Sequence, residues 1–269
     1  MAPPSQREMT ASPHRCDYPR CALITGAARR IGRALALALA EDGYDIAIHY
    51  RSTAEDAERL AEEIERLGRR SALLSADLAQ EPDVESLVER ATAALGPVGV
   101  LINNASTFEM DKIDDATRES WDKHLEPNLR APFLLTQRFA AALPEGSHGA
   151  VINLLDQRVW SLTPYFVSYT VSKSALWALT RSLALALAPR IRVNAIGPGP
   201  TLPSPRQSEA QFARQVASVP LKCGPSLDEV ARTARFILSA ASMTGQMIAL
   251  DGGQHLGWRQ EEDGGPSVE

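Results

Sequence analysis

The fold is decided by residues 21–32, which read CALITGAARRIG. The apolar run Cys21–Thr25 predicts a buried strand, and the helical periodicity that follows residue 32 predicts a helix directly after it. Gly26 and Gly32 allow the chain to turn tightly, so that backbone amides can approach a pyrophosphate at the positive end of the helix. Arg30 stands where the usual GxGxxG pattern has a middle glycine. The position after a first strand still favours a phosphate-binding turn.

The alternation of short apolar runs with longer helical segments continues along the chain. It predicts one α/β domain of the doubly wound Rossmann type, with a seven-stranded parallel sheet flanked by helices. The predicted strands are Cys21–Thr25, Asp45–His49, Ser71–Ser75, Val98–Asn103, Ala150–Leu155, Arg190–Ile196 and Met247–Leu250. The predicted helices are Arg33–Glu41, a segment from Thr53 to Gly68, Val84–Leu95, Asp122–Leu143 with a kink at Pro132, Ser168–Leu187, Glu209–Val216 and Leu227–Ala240.

Composition narrows the class of partner. The 269 residues are 44% hydrophobic and 23% charged, which is typical of a globular protein and unlike disordered or coiled-coil chains. A formal net charge of −5 argues against nucleic acid or an anionic membrane surface as a partner, because both attract a basic surface. No run approaches the ~18 apolar residues of a membrane span. A small-molecule ligand is therefore expected.

The chain ends and the three cysteines indicate the domain bounds and the cellular compartment. Residues 1–19 and 259–269 are predicted to be flexible tails around a domain at residues 20–258. Cys16, Cys21 and Cys223 show no CxxC or metal-ligand spacing, so neither a disulfide framework nor a metal site is expected. A cytoplasmic location fits this cysteine usage.

The end of the second predicted strand discriminates between cofactors. An acidic residue there would bind the ribose hydroxyls of NAD, whereas an arginine suits the 2′-phosphate of NADP. The segment reads His49-Tyr50-Arg51-Ser52, with Arg51 placed 25 residues after Gly26. A guanidinium can pair with a phosphate and Ser52 can donate to it, so the sequence predicts NADP(H). The alternative is that Arg51 only contacts solvent at the strand end.

Tyr169 and Lys173 lie four residues apart near the start of a predicted helix, and so share one face. An ammonium beside a phenol lowers the phenol pKa from about 10 toward the working range, which makes the tyrosine a usable proton donor or acceptor. The structural alternative is a packed tyrosine beside a lysine whose charged end reaches solvent.

Five groups of residues fall in an order that is typical of a known family. They are Thr25–Gly32 after the first strand, Asn103-Asn104-Ala105 after the fourth, Asn128 in the next helix, Tyr169 with Lys173, and Pro198-Gly199 after the sixth strand. In this combination the chain, from about Cys21 to Leu256, resembles the short-chain dehydrogenase/reductase family.

The resemblance implies roles for individual residues. Tyr169 would be the proton donor, Lys173 would tune Tyr169 and bind the nicotinamide ribose, and Asn128 would hold a proton-relay water. Asp77 and Leu78 would lie beside the adenine. The predicted cofactor-binding residues are Gly26, Arg29, Arg30, Ile31, Gly32, Tyr50, Arg51, Ser52, Asp77, Leu78, Asn104, Ala105, Ser106, Tyr169, Lys173, Pro198 and Gly199.

The sequence departs from the family pattern at two places. Thirteen residues before Tyr169, where the family has a serine, stands Asp156, which is the fourth predicted catalytic residue. An ionised carboxylate only accepts hydrogen bonds and repels a developing alkoxide, so a simple ketone fits poorly. Asp156 suits N–H donors of a heterocycle, or a proton relay with Tyr169 to a ring nitrogen. The second departure is the run Asn103–Ser106, where the family pattern ends in glycine; Phe108 follows two residues later.

Both departures, together with Arg30 and the run Asp251–Leu256, resemble the pteridine reductase and dihydromonapterin reductase branch. The branch implies a pterin stacked between the nicotinamide and an aromatic ring, here Phe108, with Ser106 and Arg30 holding the ring and the cofactor phosphate. The predicted substrate-binding residues are Arg30, Ser106, Phe108, Asp156 and Tyr169.

The expected activity is NADPH-dependent transfer of hydride to a C=N bond of a dihydropterin, with Tyr169 as proton donor. Two alternatives stay open: a carbonyl reductase acting on a 3-oxoacyl or small ketone substrate, and a nucleotide-binding protein without turnover. The family resemblance also implies a homotetramer built on the apolar stretches Ala131–Ala142 and Ala175–Ala188; the alternative is that these stretches only cover the sheet. The proline-rich segment Pro200–Val219 is expected to fold over the substrate.

Overall fold

The computed structural model describes residues 18–204 and 206–257. Seven parallel strands form one sheet in the order β3-β2-β1-β4-β5-β6-β7, which confirms the predicted fold class. The strands are β1 (Cys21–Ile24), β2 (Asp45–Tyr50), β3 (Ser71–Ser75), β4 (Val100–Asn103), β5 (Gly149–Leu154), β6 (Ile191–Pro198) and β7 (Met247–Leu250).

Eight α-helices connect the strands and cover both faces of the sheet. They are α1 (Arg30–Glu41), α2 (Ala54–Arg66), α3 (Glu81–Leu95), α4 (Arg118–Leu125), α5 (Ala131–Ala142), α6 (Val167–Leu187), α7 (Glu209–Ser218) and α8 (Leu227–Ser239) within residues 18–204 and 206–257. Short 3₁₀ turns lie at Gln157–Val159 and Gln254–Leu256.

The core is split into two layers by the pleat of the sheet. Ala22 and Ile24 of β1 point to the layer that α1, α2 and α8 close, whereas Cys21 and Leu23 point to the layer closed by α3, α5 and α6. Because both faces of a parallel sheet are covered, its strands are apolar throughout rather than alternating. The burial of all four β1 residues follows from this.

The strand order reverses at β1, which lies between β2 and β4. In open α/β sheets, ligands bind beyond the carboxyl ends of the strands where the order reverses. Thr25, Asn104 and Leu155, which follow β1, β4 and β5, therefore border the expected site.

The predicted long helix Asp122–Leu143 is wrong in its start and in the position of its irregularity. It begins four residues earlier, because Thr117 and Ser120 form a reciprocal capping box at the start of α4. A π segment, Glu126–Arg130, then separates α4 from α5. Pro132 has no N–H to offer the carbonyl of Asn128 four residues before it, so the backbone hydrogen bonds widen ahead of the proline rather than at it.

The predicted N-terminal tail is too long, because Tyr18 belongs to the core. Only 5% of Tyr18 is exposed, and its hydroxyl accepts a hydrogen bond from Nε of the buried Arg192 at 3.0 Å. Arg192 also donates to the carbonyls of Leu238 and Met243, so the three segments are tied together. Residues 1–17 and 258–269 lie outside the described residues, and with them the rest of the predicted N-terminal tail and the whole predicted C-terminal tail at 259–269.

Strand β6 runs two residues beyond its predicted end at Ile196. Gly197 pairs with Ala249, and Pro198 pairs with Leu250. A proline at a strand end is tolerated because its missing N–H faces away from the ladder. None of the helices in the described part of the chain is long and apolar enough to cross a membrane.

We expect Tyr18→Phe to lower the free energy of unfolding by about 1–3 kcal/mol, because the buried Arg192 loses a hydrogen-bond acceptor. Urea unfolding followed by circular dichroism measures the change. Tyr165→Phe is the matched control, since the Tyr165 hydroxyl has no hydrogen-bond partner among residues 18–204 and 206–257. Equal stability of both variants would show that Tyr18 lies outside the cooperative core.

Candidate active site

A cavity of about 280 Å³ lies beyond the carboxyl ends of the strands. The predicted site residues that line it are Arg30, Ile31, Asn104, Ser106, Phe108, Asp156, Tyr169, Lys173, Pro198 and Gly199. The predicted Pro200–Val219 segment also borders it, through residues that include Thr201, Leu202, Ser204, Gln207 and Gln215. The structure therefore brings together the predicted substrate-binding residues and three of the four predicted catalytic residues, Asp156, Tyr169 and Lys173, whereas Asn128 does not line the cavity.

The glycine turn is fastened to the end of β4. Asn104 Nδ2 donates to the carbonyl oxygens of Thr25 (2.8 Å) and Gly26 (3.1 Å), and Thr25 Oγ1 accepts from the backbone N–H groups of Asn104 and Ala105. A Cβ on Gly32 would lie 2.2 Å from the Gly26 oxygen and 2.6 Å from Asn104 Nδ2. Glycine is thus required at position 32, because the start of α1 packs directly against the turn and the end of β4.

His49 is a site residue that sequence reasoning missed. Its Nδ1 accepts a hydrogen bond from the Gly26 N–H at 3.0 Å, so the proton is assigned to Nε2, which lies 3.2 Å from the Ala76 oxygen. Burial lowers the pKa of His49 to about 4, which keeps the ring neutral near pH 7. The signal in the sequence is a lone histidine in an otherwise apolar strand end.

Arg30 reaches the segment that borders the cavity. Its guanidinium donates to the carbonyl oxygens of Pro203 (2.9 Å) and Leu202 (3.2 Å). Arg29 points elsewhere, to Asp56 at 3.6 Å. The structure thus places Arg30 at the cavity as predicted, but joins it to the Pro200–Val219 segment.

The adenine end of the predicted cofactor site lies beyond β2 and β3. Arg51 and Ser52 are exposed directly after β2, and no hydrogen bond or ion pair within the described ranges engages Arg51. Tyr50 ends β2, Leu78 is buried shortly after β3, and the Asp77 carboxylate accepts from the Ala79 N–H at 3.0 Å. These positions stand apart from the cavity, as the two ends of a dinucleotide site do.

Tyr169, Lys173 and Asp156 form the centre of the cavity. The Tyr169 hydroxyl donates to Asp156 Oδ2 at 2.8 Å, and Asp156 Oδ1 accepts from the Arg158 N–H at 2.8 Å. Lys173 Nζ donates to the Leu154 oxygen at 2.8 Å and lies 5.9 Å from the centroid of the Tyr169 ring. The predicted pairing of Tyr169 with a carboxylate and an ammonium is therefore present.

The sequence predicts that Lys173 lowers the pKa of Tyr169, and the surroundings of Tyr169 in the protein shift that pKa the other way. Burial and the charge of Asp156 raise the pKa of Tyr169 well above its ordinary value, and Arg158 opposes them only in part. Burial also lowers the pKa of Lys173 to about 8. Tyr169 is accordingly held as a neutral phenol that donates to Asp156, rather than as a phenolate.

The side chain of Asn128 is fully engaged in fixing the loop after β4. Its Oδ1 accepts from the Thr107 N–H, and its Nδ2 donates to the Thr107 oxygen and to Ser172 Oγ. The predicted role of Asn128 in holding a relay water stays a prediction.

Phe108 lies where an aromatic ring was predicted, at the cavity wall. It stacks on Phe166 with centroids 4.5 Å apart and meets the Tyr169 ring edge-on at 4.6 Å. Arg158, which is 2% exposed, lies 5.0 Å from the Phe166 centroid, and Arg206 donates to the Phe108 oxygen. Arg158 lines the cavity and Phe166 supports Phe108 from behind it, and the sequence offered no separate signal for either residue. Ser106 is exposed at the cavity edge.

A family model described as enoyl-(acyl carrier protein) reductase matches residues 26–255. A 3-oxoacyl-[acyl-carrier-protein] reductase of Staphylococcus epidermidis is 31% identical over 242 residues, which cover 88% of this chain and 99% of the relative. The chain therefore belongs to the short-chain dehydrogenase/reductase family of oxidoreductases.

Solved structures extend the comparison. FolM alternative dihydrofolate reductase 1 from Brucella suis, in complex with NADP, is 48% identical, with a TM-score of 0.87 over 91% of this chain and 98% of that one. A blue fluorescent protein from a metagenomic library, in complex with NADPH, is 34% identical, with a TM-score of 0.82 over 88% and 98% of the two chains.

We expect Arg51→Ala to raise the dissociation constant of NADPH about 10-fold to 100-fold and to leave that of NADH nearly unchanged, because only NADPH carries the 2′-phosphate. Fluorescence titration with both nucleotides measures this. Arg66→Ala removes an exposed arginine of α2 and is the control. Equal weakening of both nucleotides would contradict the role of Arg51.

We expect kcat/KM for NADPH to fall as the pH rises through about 8, because Lys173 then loses the ammonium form that donates to Leu154. Tyr169 does not account for this limb, since its pKa is raised. Lys173→Met should lose both the limb and most of the activity, whereas Lys222→Met, an exposed control, should keep both. A profile that stays flat to pH 9.5 would contradict the assignment.

Proposed function

We propose that the protein is an NADPH-dependent pterin reductase, which transfers hydride to a C=N carbon of a dihydropterin. The observation that carries the proposal is the 2.8 Å hydrogen bond from Tyr169 to Asp156 at the cavity. A carboxylate in this position accepts hydrogen bonds and so suits the N–H groups of a 2-amino-4-oxo ring. The 48% identity to FolM alternative dihydrofolate reductase 1 supports the same substrate class.

NADP(H) is the cofactor of this proposal. The glycine turn at Gly26 and Gly32 lies at the N-terminus of α1, which suits a pyrophosphate, and the exposed Arg51 fits a 2′-phosphate. The NADP and NADPH complexes of the solved neighbours agree with both assignments. When bound, NADPH supplies the hydride.

The cavity walls fit a flat heterocycle. Phe108 is held rigidly by its stack on Phe166, so one wall is aromatic and pre-organised for a conjugated ring. Asp156 and Ser106 provide polar groups at the same cavity.

The chain's own residues handle the proton. Tyr169 releases its phenol proton to the ring nitrogen as the adjacent carbon accepts hydride, so that C=N becomes CH–NH. The buried Lys173 ammonium balances the phenolate charge in that step. A solvent proton then returns to Tyr169 across the hydrogen bond with Asp156, and the raised pKa of Tyr169 favours this return.

Reduction of a 3-oxoacyl or small ketone substrate is the second candidate. The 31% identity to a 3-oxoacyl-[acyl-carrier-protein] reductase favours it. Asp156 disfavours it, because an ionised carboxylate repels the alkoxide that forms on a reduced ketone. The predicted homotetramer and the predicted cytoplasmic location stay predictions.

We expect Asp156→Ser to lower kcat/KM for dihydropterin reduction about 100-fold, because the variant loses both the ring acceptor and the proton path, and to change NADPH affinity less than about 3-fold. Absorbance of NADPH measures turnover on a panel of dihydropterins, dihydrofolate, 3-oxoacyl substrates and diketones. Asp228→Ser, a surface substitution on α8, is the control.

Wild-type turnover confined to dihydropterins or dihydrofolate supports the proposal. Turnover only with ketones would replace it by the second candidate and keep the cofactor. If Asp156→Ser loses NADPH binding and pterin turnover to the same extent, the role given to Asp156 is wrong. If the wild type turns over none of the substrates, a nucleotide-binding protein without catalysis is favoured.

A further inference from the structure

A buried polar cluster lies behind the cavity and outside the proposed chemistry. It consists of Asp111 in the loop after β4, Ser120 and His124 of α4, and Ser168 of α6. Asp111, His124 and Ser168 are 3%, 1% and 0% exposed, respectively. Sequence patterns marked none of the four, because they come from three separate segments of the chain.

Asp111 caps the first turn of α6 from a distant segment. Its backbone oxygen accepts from the N–H groups of Phe166 (2.8 Å) and Val167 (3.3 Å), and its Oδ1 accepts from the Ser168 N–H (3.1 Å). The residue that precedes α6, Phe166, has φ +57 and an aromatic side chain that accepts no N–H. The start of the helix that carries Tyr169 is therefore fixed by Asp111.

The donors and acceptors of the cluster can be assigned from its hydrogen bonds. His124 Nε2 accepts from the Glu109 N–H at 3.0 Å, so Nδ1 carries the proton and donates to Ser168 Oγ at 2.7 Å or to the Ser120 oxygen at 2.9 Å. Ser168 Oγ in turn donates to Asp111 Oδ2. Burial lowers the pKa of His124, which agrees with a neutral ring in this order.

Each end of the cluster lies one residue from a cavity side chain. Glu109, held by His124, follows Phe108, and Ser168, held by Asp111, precedes Tyr169. The two rings meet at 4.6 Å. We propose that Asp111, His124 and Ser168 form a clamp of positioning residues that fixes the Tyr169 hydroxyl relative to the Phe108 wall, and thereby the proton transfer. This inference rests on the proposed function only in making Tyr169 the proton donor.

The test is Asp111→Asn. The Ser168 hydroxyl now donates to Asp111 Oδ2, and in the variant it would face the N–H groups of the asparagine amide instead. This hydrogen bond is therefore lost, while the side chain keeps nearly the same volume. We expect kcat to fall about 10-fold or more, since small misplacements of a reacting group are costly. The dissociation constant of NADPH and the number of NADPH molecules bound per chain should stay within about twofold of the wild type. The solvent deuterium isotope effect on kcat should rise, because transfer from Tyr169 becomes rate-limiting.

Two further variants make the test decisive. Asp114→Asn makes the same charge change at an exposed position of the same loop and should behave as the wild type in every measurement. Ser168→Ala removes one hydroxyl while keeping the N–H that Asp111 accepts, and should show a smaller fall in kcat with the same rise in isotope effect. It replaces Asp111→Asn if that variant does not fold.

The outcomes separate this proposal from the proposed function. An unchanged kcat and isotope effect in Asp111→Asn and Ser168→Ala would overturn the clamp. A fall in kcat that is fully explained by a smaller number of NADPH-binding sites per chain would overturn it as well. If the wild type reduces ketones and no pterin, the proposed function fails, and the same variants are measured on the ketone, since Tyr169 would still be the donor.

Discussion

The hydrogen bonds between Thr25 and Asn104 fasten the carboxyl ends of β1 and β4 to each other at the point where the strand order reverses. The glycine turn depends on them, because Asn104 occupies the space that a Cβ on Gly32 would need. The loop after β4 depends on them as well, since it starts at this junction and goes on to Phe108. The ends of neighbouring parallel strands are not joined by a turn, so these hydrogen bonds connect the chain segments that follow β1 and β4. The two connected segments border the cavity.

Three ionisable groups line the cavity together: the buried Tyr169 and Lys173 and the partly buried Asp156, which accepts the Tyr169 hydroxyl. Burial and the charge of Asp156 raise the pKa of Tyr169, whereas burial lowers the pKa of Lys173 and the same carboxylate opposes that change. A carboxylate, a phenol and an ammonium thus balance across a cavity where water screens weakly. A serine in place of Asp156 would remove the negative member of the set, so this one position changes both the hydrogen bonding and the electrostatics.

Periodicity and strand-end residues predict the α/β sheet, the glycine turn and the Tyr169–Lys173 pair, because each depends on residues near one another in sequence or on one strand edge. The misses share the opposite property. Tyr18 is buried only because Arg192 reaches it from β6, and His49 matters only because Gly26 folds back onto it. Long-range partners of this kind leave no periodic signal.

A 3-oxoacyl-[acyl-carrier-protein] reductase and an alternative dihydrofolate reductase are both similar to this chain over most of its length. Identity of 31% to a 3-oxoacyl-[acyl-carrier-protein] reductase over nearly the full length reflects the shared frame of strands, turn and catalytic pair. Substrate choice depends on a few cavity residues, which contribute little to such a score. Asp156 and Phe108 are the positions at which the chemistry of a ketone and that of a nitrogen heterocycle differ most, since one sets the charge and the other the shape of the wall. Their geometry therefore weighs more than overall similarity in choosing between the two substrates.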